Sequence, residues 1–109
     1  MPPESRKYLW DAAEAAQRIQ RFAAGKSFAD YREDELLRAA IERQFIILGE
    51  ALSRLRQIDP DTANRLPDLR RAIALRNLLV HAYADVDEAI VWGVVAGPLA
   101  ALLAALQTV

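Results

Sequence analysis

Arg76-Asn77-Leu78-Leu79-Val80-His81-Ala82-Tyr83 holds the only histidine of the chain and sets a cation, an amide, an imidazole and a phenol among leucines. As one continuous helix, at about 100° per residue, the segment would nearly eclipse Arg76 and Tyr83 and stack Asn77 one turn from His81. Leu75, Leu78, Leu79 and Ala82 would then share the opposite, apolar side. Such a face can grip a phosphate ester through the guanidinium and exchange protons through the imidazole, a group that titrates near neutrality. The same four residue types also make an ordinary solvated helix face, and spacing alone does not separate the two.

Arg65, Arg70, Arg71 and Arg76 surround this segment and form the best local basic patch of the chain. Arg70 and Arg71 are thus candidates for nucleic-acid contact. A solvated basic face paired with Asp59, Asp61 and Asp68 explains the same residues equally well. Other chemistries lack their parts. There is no glycine-rich phosphate loop, no paired His-Glu helix motif and no metal-binding loop spacing. One histidine, no cysteine and scattered carboxylates cannot make a tetrahedral zinc site within one chain. Nothing around Ser5, Ser27 or Ser53 suggests a strained nucleophile turn.

The elements that must position the motif read as helices. Leu9, Ala12, Ala13, Ala16, Ile19 and Ala23 recur at helical spacing, predicting a first helix from about Arg6 to Ala24, stopped by Gly25. Ser27-Phe28-Ala29-Asp30 reads as a short capped turn that tucks Phe28 and Tyr31 inward. From near Asp34 a longer helix carries Leu37, Ile41, Phe45, Leu48, Leu52 and Leu55 in steps of four and three, the seam of a bundle. Ile46 and Ile47 lie off that seam and imply a second contact, either a third helix or another subunit. Gly49, in mid-helix, costs about 1 kcal/mol against alanine unless it allows a tight helix crossing.

Ile58-Asp59-Pro60-Asp61 breaks this helix, and Thr62 to Leu66 is at most a short turn. Pro67 is expected at the first position of the third helix, with Asp68 complementing its dipole. Asp85 or Asp87 can cap a fourth helix running to about Leu106, which Gly97-Pro98 should kink or split. No alternating strand pattern competes. The expected fold class is all-α, a four- to five-helix bundle in a single domain over residues 1–109, with its last helix kinked at Pro98.

Bulk properties agree with a folded protein: 109 residues, 53% hydrophobic and 27% charged, allow one modest core. A net charge of −1 means that any nucleic-acid binding must come from a local patch or an assembly. The absence of cysteine excludes disulfides and fits a reducing compartment. The N-terminal residues show no apolar core after their charges, so no signal peptide is expected, and a cytoplasmic location is. Ala89 to Leu106 is free of charge and near the minimum length of a bilayer span, but its alanines, glycines and Pro98 favour a helix buried on nearly all sides. No membrane association is expected.

The order Arg, polar residue, three others, His in Arg76-Asn77-Leu78-Leu79-Val80-His81 resembles the signature of the HEPN superfamily, with Asn in the polar place. With Tyr83 it gives the Arg-x4-His-x-Tyr form, which is similar to that of the HepT toxins of bacterial and archaeal toxin–antitoxin pairs. Phe22 to Phe28 resembles that family's first-helix ending, Ala40-Ile41-Glu42-Arg43 and Ile47-Leu48-Gly49-Glu50-Ala51 its second helix, and Val86-Asp87 with Val91-Trp92 its last. The resemblance implies a homodimer, or a higher oligomer, that cuts RNA without a metal or other cofactor in a composite cleft across the interface. It implies Arg76 on the scissile phosphate, His81 as general acid or base, Asn77 orienting either, and the RNA 2′-hydroxyl as nucleophile. Tyr83 would be the residue that an MntA-like nucleotidyltransferase antitoxin modifies with AMP. The alternative within the same resemblance is a non-catalytic binding module that partners a nucleotidyltransferase.

Overall fold

Helix-forming periodicity decides the architecture. A computed structural model describes the backbone of residues 1–109 and every side chain except that of Tyr83. It consists of α1 (Pro3–Ala23), α2 (Phe28–Glu33), α3 (Glu35–Ile58), α4 (Pro60–Ala63), α5 (Leu69–His81), a 3₁₀ turn (Tyr83–Asp85), α6 (Glu88–Ala96) and α7 (Leu99–Thr108). The fold is all-α, without a strand among the described residues.

The long α3 is the spine. All six seam residues from Leu37 to Leu55 are buried, because steps of three and four keep them on one stripe. α1 packs along this stripe through Leu9, Ala12, Ala15, Ala16 and Ile19, α5 packs along α3 from another side, and α7 closes on α1. Small alanines on α1 allow that close approach, while Phe45 and Tyr31 fill the space between layers.

Two stretches expected as turns are short helices, each with a side-chain cap. The Ser27 hydroxyl accepts from the Asp30 N–H at 3.1 Å and the Asp30 carboxylate accepts from the Ser27 N–H at 2.9 Å, a reciprocal box that closes α2. Its Tyr31 then packs against Trp92 of α6, ring centroids 5.2 Å apart and ring planes tilted by 33°. Asp59 caps α4 by a single bond, its carboxylate accepting from the Thr62 N–H at 3.2 Å. Pro67 does not open α5, which begins at Leu69 after Asp68 has turned into the left-handed region, φ 57°. An aspartate tolerates that conformation better than most residues, and its charge still sits at the positive end of the helix.

Gly97-Pro98 splits the last helix in two, the halves bent by 50°. Proline has no N–H to continue the helical ladder. The expectation of burial on nearly all sides fails here. Val91, Val94, Leu99, Leu102 and Leu106 are buried, whereas Ile90, Gly93, Ala96, Ala100 and Ala104 face outward. The chain measures 42 × 28 × 18 Å, and 18 Å accommodates only about two layers of helices each ~10 Å wide, so no helix can be surrounded. Among the described residues no single helix is long and apolar enough to cross a membrane.

One buried polar knot ties the start of α1 to the end of α3. The Asp59 carboxylate accepts from Ser5 Oγ at 2.8 Å and Thr62 Oγ1 at 2.7 Å, and among the described residues none of the basic-patch arginines forms an ion pair with it. These bonds, those from Thr62 first and then that from Ser5, hold its carboxyl below the ordinary value of 3.8. A depressed folded-state value means that the knot stabilises above the unfolded pKa and that this contribution is lost as pH falls below about 4. Thermal melts between pH 6 and pH 3 should therefore show a steeper loss below pH 4 for the wild type than for Asp59→Asn; parallel curves would refute this.

Candidate active site on the α5 helix

Gly49 sets the geometry of the site. A Cβ built there would lie 2.2 Å from Arg76 Cβ and 3.1 Å from the Ala72 carbonyl oxygen, so α5 crosses α3 at a distance that only glycine permits. The crossing expected from a glycine in mid-helix is thus the place where Arg76 meets α3. From this contact the Arg76 side chain runs half-buried to Glu50, whose Oε2 forms an ion pair with Nη2 at 2.9 Å. Asn77 Oδ1 accepts from Arg76 Nη1 at 3.0 Å. Each terminal nitrogen still carries a second N–H, a pair spaced for the two oxygens of an anion.

Glu50 is shared. Its Oε1 accepts from Arg54 Nε at 3.0 Å, and this bond, followed by the carboxylate's charge, raises the Arg54 pKa further above its ordinary value. The Glu50–Arg76 contact has no signal in the sequence. The four-residue spacing points to the Glu50–Arg54 pair, but no spacing rule links residues on different helices.

His81 stands apart from this cluster. It is exposed at the end of α5, and five residues at about 100° each put it roughly 140° around the helix from Arg76. Among the described residues no hydrogen bond joins His81 to Arg76 or Asn77. One chain therefore joins Arg76 to Asn77 and presents His81 separately, in place of the single converging face expected from spacing. α5 ends at His81, where the Ala82 N–H bonds the Leu78 carbonyl at 2.8 Å, so the helical register does not continue to Tyr83. The Tyr83 side chain, expected as the modification site, lies outside the described residues.

The apolar side also differs from expectation. Leu75 and Leu79 are buried, but Leu78 is 44% and Val80 40% exposed, leaving two large apolar side chains next to His81 in open solvent. Arg70 and Arg71 are exposed at the opposite end of α5, about 16 Å along the axis from His81 by helical rise. Among the described residues neither has a carboxylate within ion-pair distance, so the pairing with Asp59, Asp61 and Asp68 is not seen. Arg38 pairs with Glu88 at 3.7 Å and ties α3 to the start of α6, anchoring the connection that follows the motif.

The chain is similar to known proteins over most of its length. A protein of Methanocaldococcus jannaschii described as a candidate RNase is 28% identical over 90 residues, 81% of this chain and 80% of that one. A protein of Thermococcus cleftensis described as a candidate ribonuclease HepT is 33% identical over 95 residues, 84% of this chain and 83% of that one. No solved structure matches the chain closely enough for comparison. The family model described as Ribonuclease HepT-like matches residues 12–109, an interval that takes in α3, α5 and the α3–α5 crossing, and the chain belongs to that family.

Proposed function

We propose that the protein is an endoribonuclease whose working unit is a dimer, and the toxin of a toxin–antitoxin pair. The observation that carries this reading is the division of labour on α5: Arg76 is held at two of its nitrogens with further N–H groups to spare, and His81 is presented in solvent. The family match and the names of its relatives support RNA as the substrate. Arg76 clamps the scissile phosphate and the charge that grows on it, with Asn77 fixing the guanidinium plane. One His81 takes the proton of the 2′-hydroxyl as its oxygen bonds to phosphorus. The second subunit's His81 gives a proton to the departing 5′-oxygen as that bond breaks, so a cyclic phosphate and a 5′-hydroxyl remain. Because His81 stands alone in one chain, a pair of chains supplies both acid and base. Leu78 and Val80, exposed on the same helix, are suited to bury against a second copy.

Neutralisation falls to a nucleotidyltransferase antitoxin of the MntA kind. It moves AMP from ATP to the Tyr83 phenol with loss of pyrophosphate, and the added anion close in sequence to His81 repels RNA. Purified protein should cut RNA in excess EDTA and leave 2′,3′-cyclic phosphate ends. A strict requirement for added magnesium, or products with free 3′-hydroxyls, would rule out this chemistry. Growth arrest on expression without the antitoxin, lost in the Arg76→Ala variant, separates the nuclease from a non-catalytic binding module.

A further inference from the structure

Glu50 belongs to a second feature. Between α1 and α3 runs an open groove of about 450 Å³, within the span of about 300–1,000 Å³ usual for small-ligand sites. Ile46, Ile47 and the buried Ala51 make its apolar floor, Tyr8 supplies an aromatic wall, and Lys7, Arg43 and Arg54 stand on its rim. Its carboxylates, Asp11 and Glu50, are already engaged, by Lys7 at 3.1 Å and by Arg54 and Arg76 at 3.0 and 2.9 Å. Among the described residues Arg43 has no carboxylate within ion-pair distance, so the rim keeps an uncompensated positive charge in a chain whose net charge is −1.

We propose that this groove is a subsite for a nucleotide of single-stranded RNA flanking the scissile phosphate, joined to Arg76 through Glu50. An apolar floor beside an aromatic ring suits a base, and cations along the rim suit the phosphates on either side of it. Charge complementarity favours a polyanion over a second copy of the chain, which would bring the same cations to face one another. The connection is physical: Glu50 holds Arg54 of the groove with one oxygen and Arg76 of the motif with the other. The groove and the motif thus meet on the two sides of one carboxylate, with the uncompensated Arg43 further along the rim. The subsite rests on the ribonuclease reading for the polymer that it takes, but its binding can be measured without cleavage.

The test uses the full-length His81→Ala protein and a fluorescein-labelled oligouridylate octamer, with anisotropy read over a series of salt concentrations. Adding Lys7→Ala and Arg43→Ala should weaken binding and make the dependence of log affinity on log salt shallower by about 1.4, two phosphate contacts at ~0.7 each. Tyr8→Leu, which keeps apolar volume and removes the ring, should lower affinity about fivefold or more, and Tyr8→Phe should restore it. Unchanged affinity and slope in these variants, or no binding of the octamer at all, overturns the subsite. So does a result in which the variants dissociate the assembly in sedimentation but bind RNA as before, because the groove is then covered by another copy. If the wild type fails to cleave RNA while the groove variants still lose affinity, the ribonuclease reading falls and the subsite stands.

Discussion

Gly49→Ala should lower the melting temperature, by up to roughly 15 °C, and loosen Arg76, although it adds a single methyl group to a helix that would otherwise favour alanine. The new carbon would lie 2.2 Å from Arg76 Cβ and 2.8 Å from its Cγ. Neither is the free end of a side chain that can swing away; relief requires α5 to move off α3. Overpacking of this kind costs about 1–3 kcal/mol, offset by about 1 kcal/mol of helix propensity. For a domain of this size each remaining kcal/mol is worth about 4–8 °C. Gly93, also helical, has open space for 4 Å around the point that an added methyl group would occupy, so Gly93→Ala should be neutral or stabilising by up to about 1 kcal/mol. Opposite signs in the two thermal melts would establish the crossing; equal effects would reject it. Because Arg76 reaches Glu50 from this contact, RNA cleavage should decline in Gly49→Ala even below its melting temperature.

The crossing is legible in the sequence because a glycine inside a strongly patterned helix calls for a packing reason. The seam from Leu37 to Leu55 is legible for a related cause: helical period alone assigns its face. Contacts between helices are not. Glu50 meets Arg76 only because α3 and α5 cross at Gly49, and nothing in local spacing selects that partner. The motif departs from its expected form where its geometry outruns its helix. Five residues of rotation separate His81 from Arg76, and α5 ends before Tyr83. The last segment misleads because alanine and glycine serve equally on buried and exposed faces. An uncharged stretch such as α6 and α7 therefore reads as interior even where Ile90 is 50% exposed. The capping box at Ser27 and Asp30 is visible in the sequence as a turn, but the reciprocal bonds close a whole short helix.

His81→Ala should slow RNA cleavage by about 10²–10⁴-fold, the usual worth of a positioned acid or base. Its side chain is exposed and makes no hydrogen bond among the described residues, so stability should change by less than about 0.5 kcal/mol. Arg76→Ala should be comparably inactive through loss of the phosphate clamp. The stronger experiment combines them: co-express the two variants with different tags, isolate the mixed dimer, and compare it with each parent. One chain of that dimer carries Arg76 and the other carries His81. If the two motifs face one cleft, the mixed dimer assembles a clamp and a proton carrier and should recover activity between that of the parents and that of the wild type. If each chain cuts RNA alone, every motif in the mixed dimer is broken and activity should stay at the parental level. The separation of His81 from Arg76 within one chain favours the first result, because the single Arg76 and the single His81 left in the mixed dimer meet at the shared cleft and lack only the second proton carrier that full activity requires.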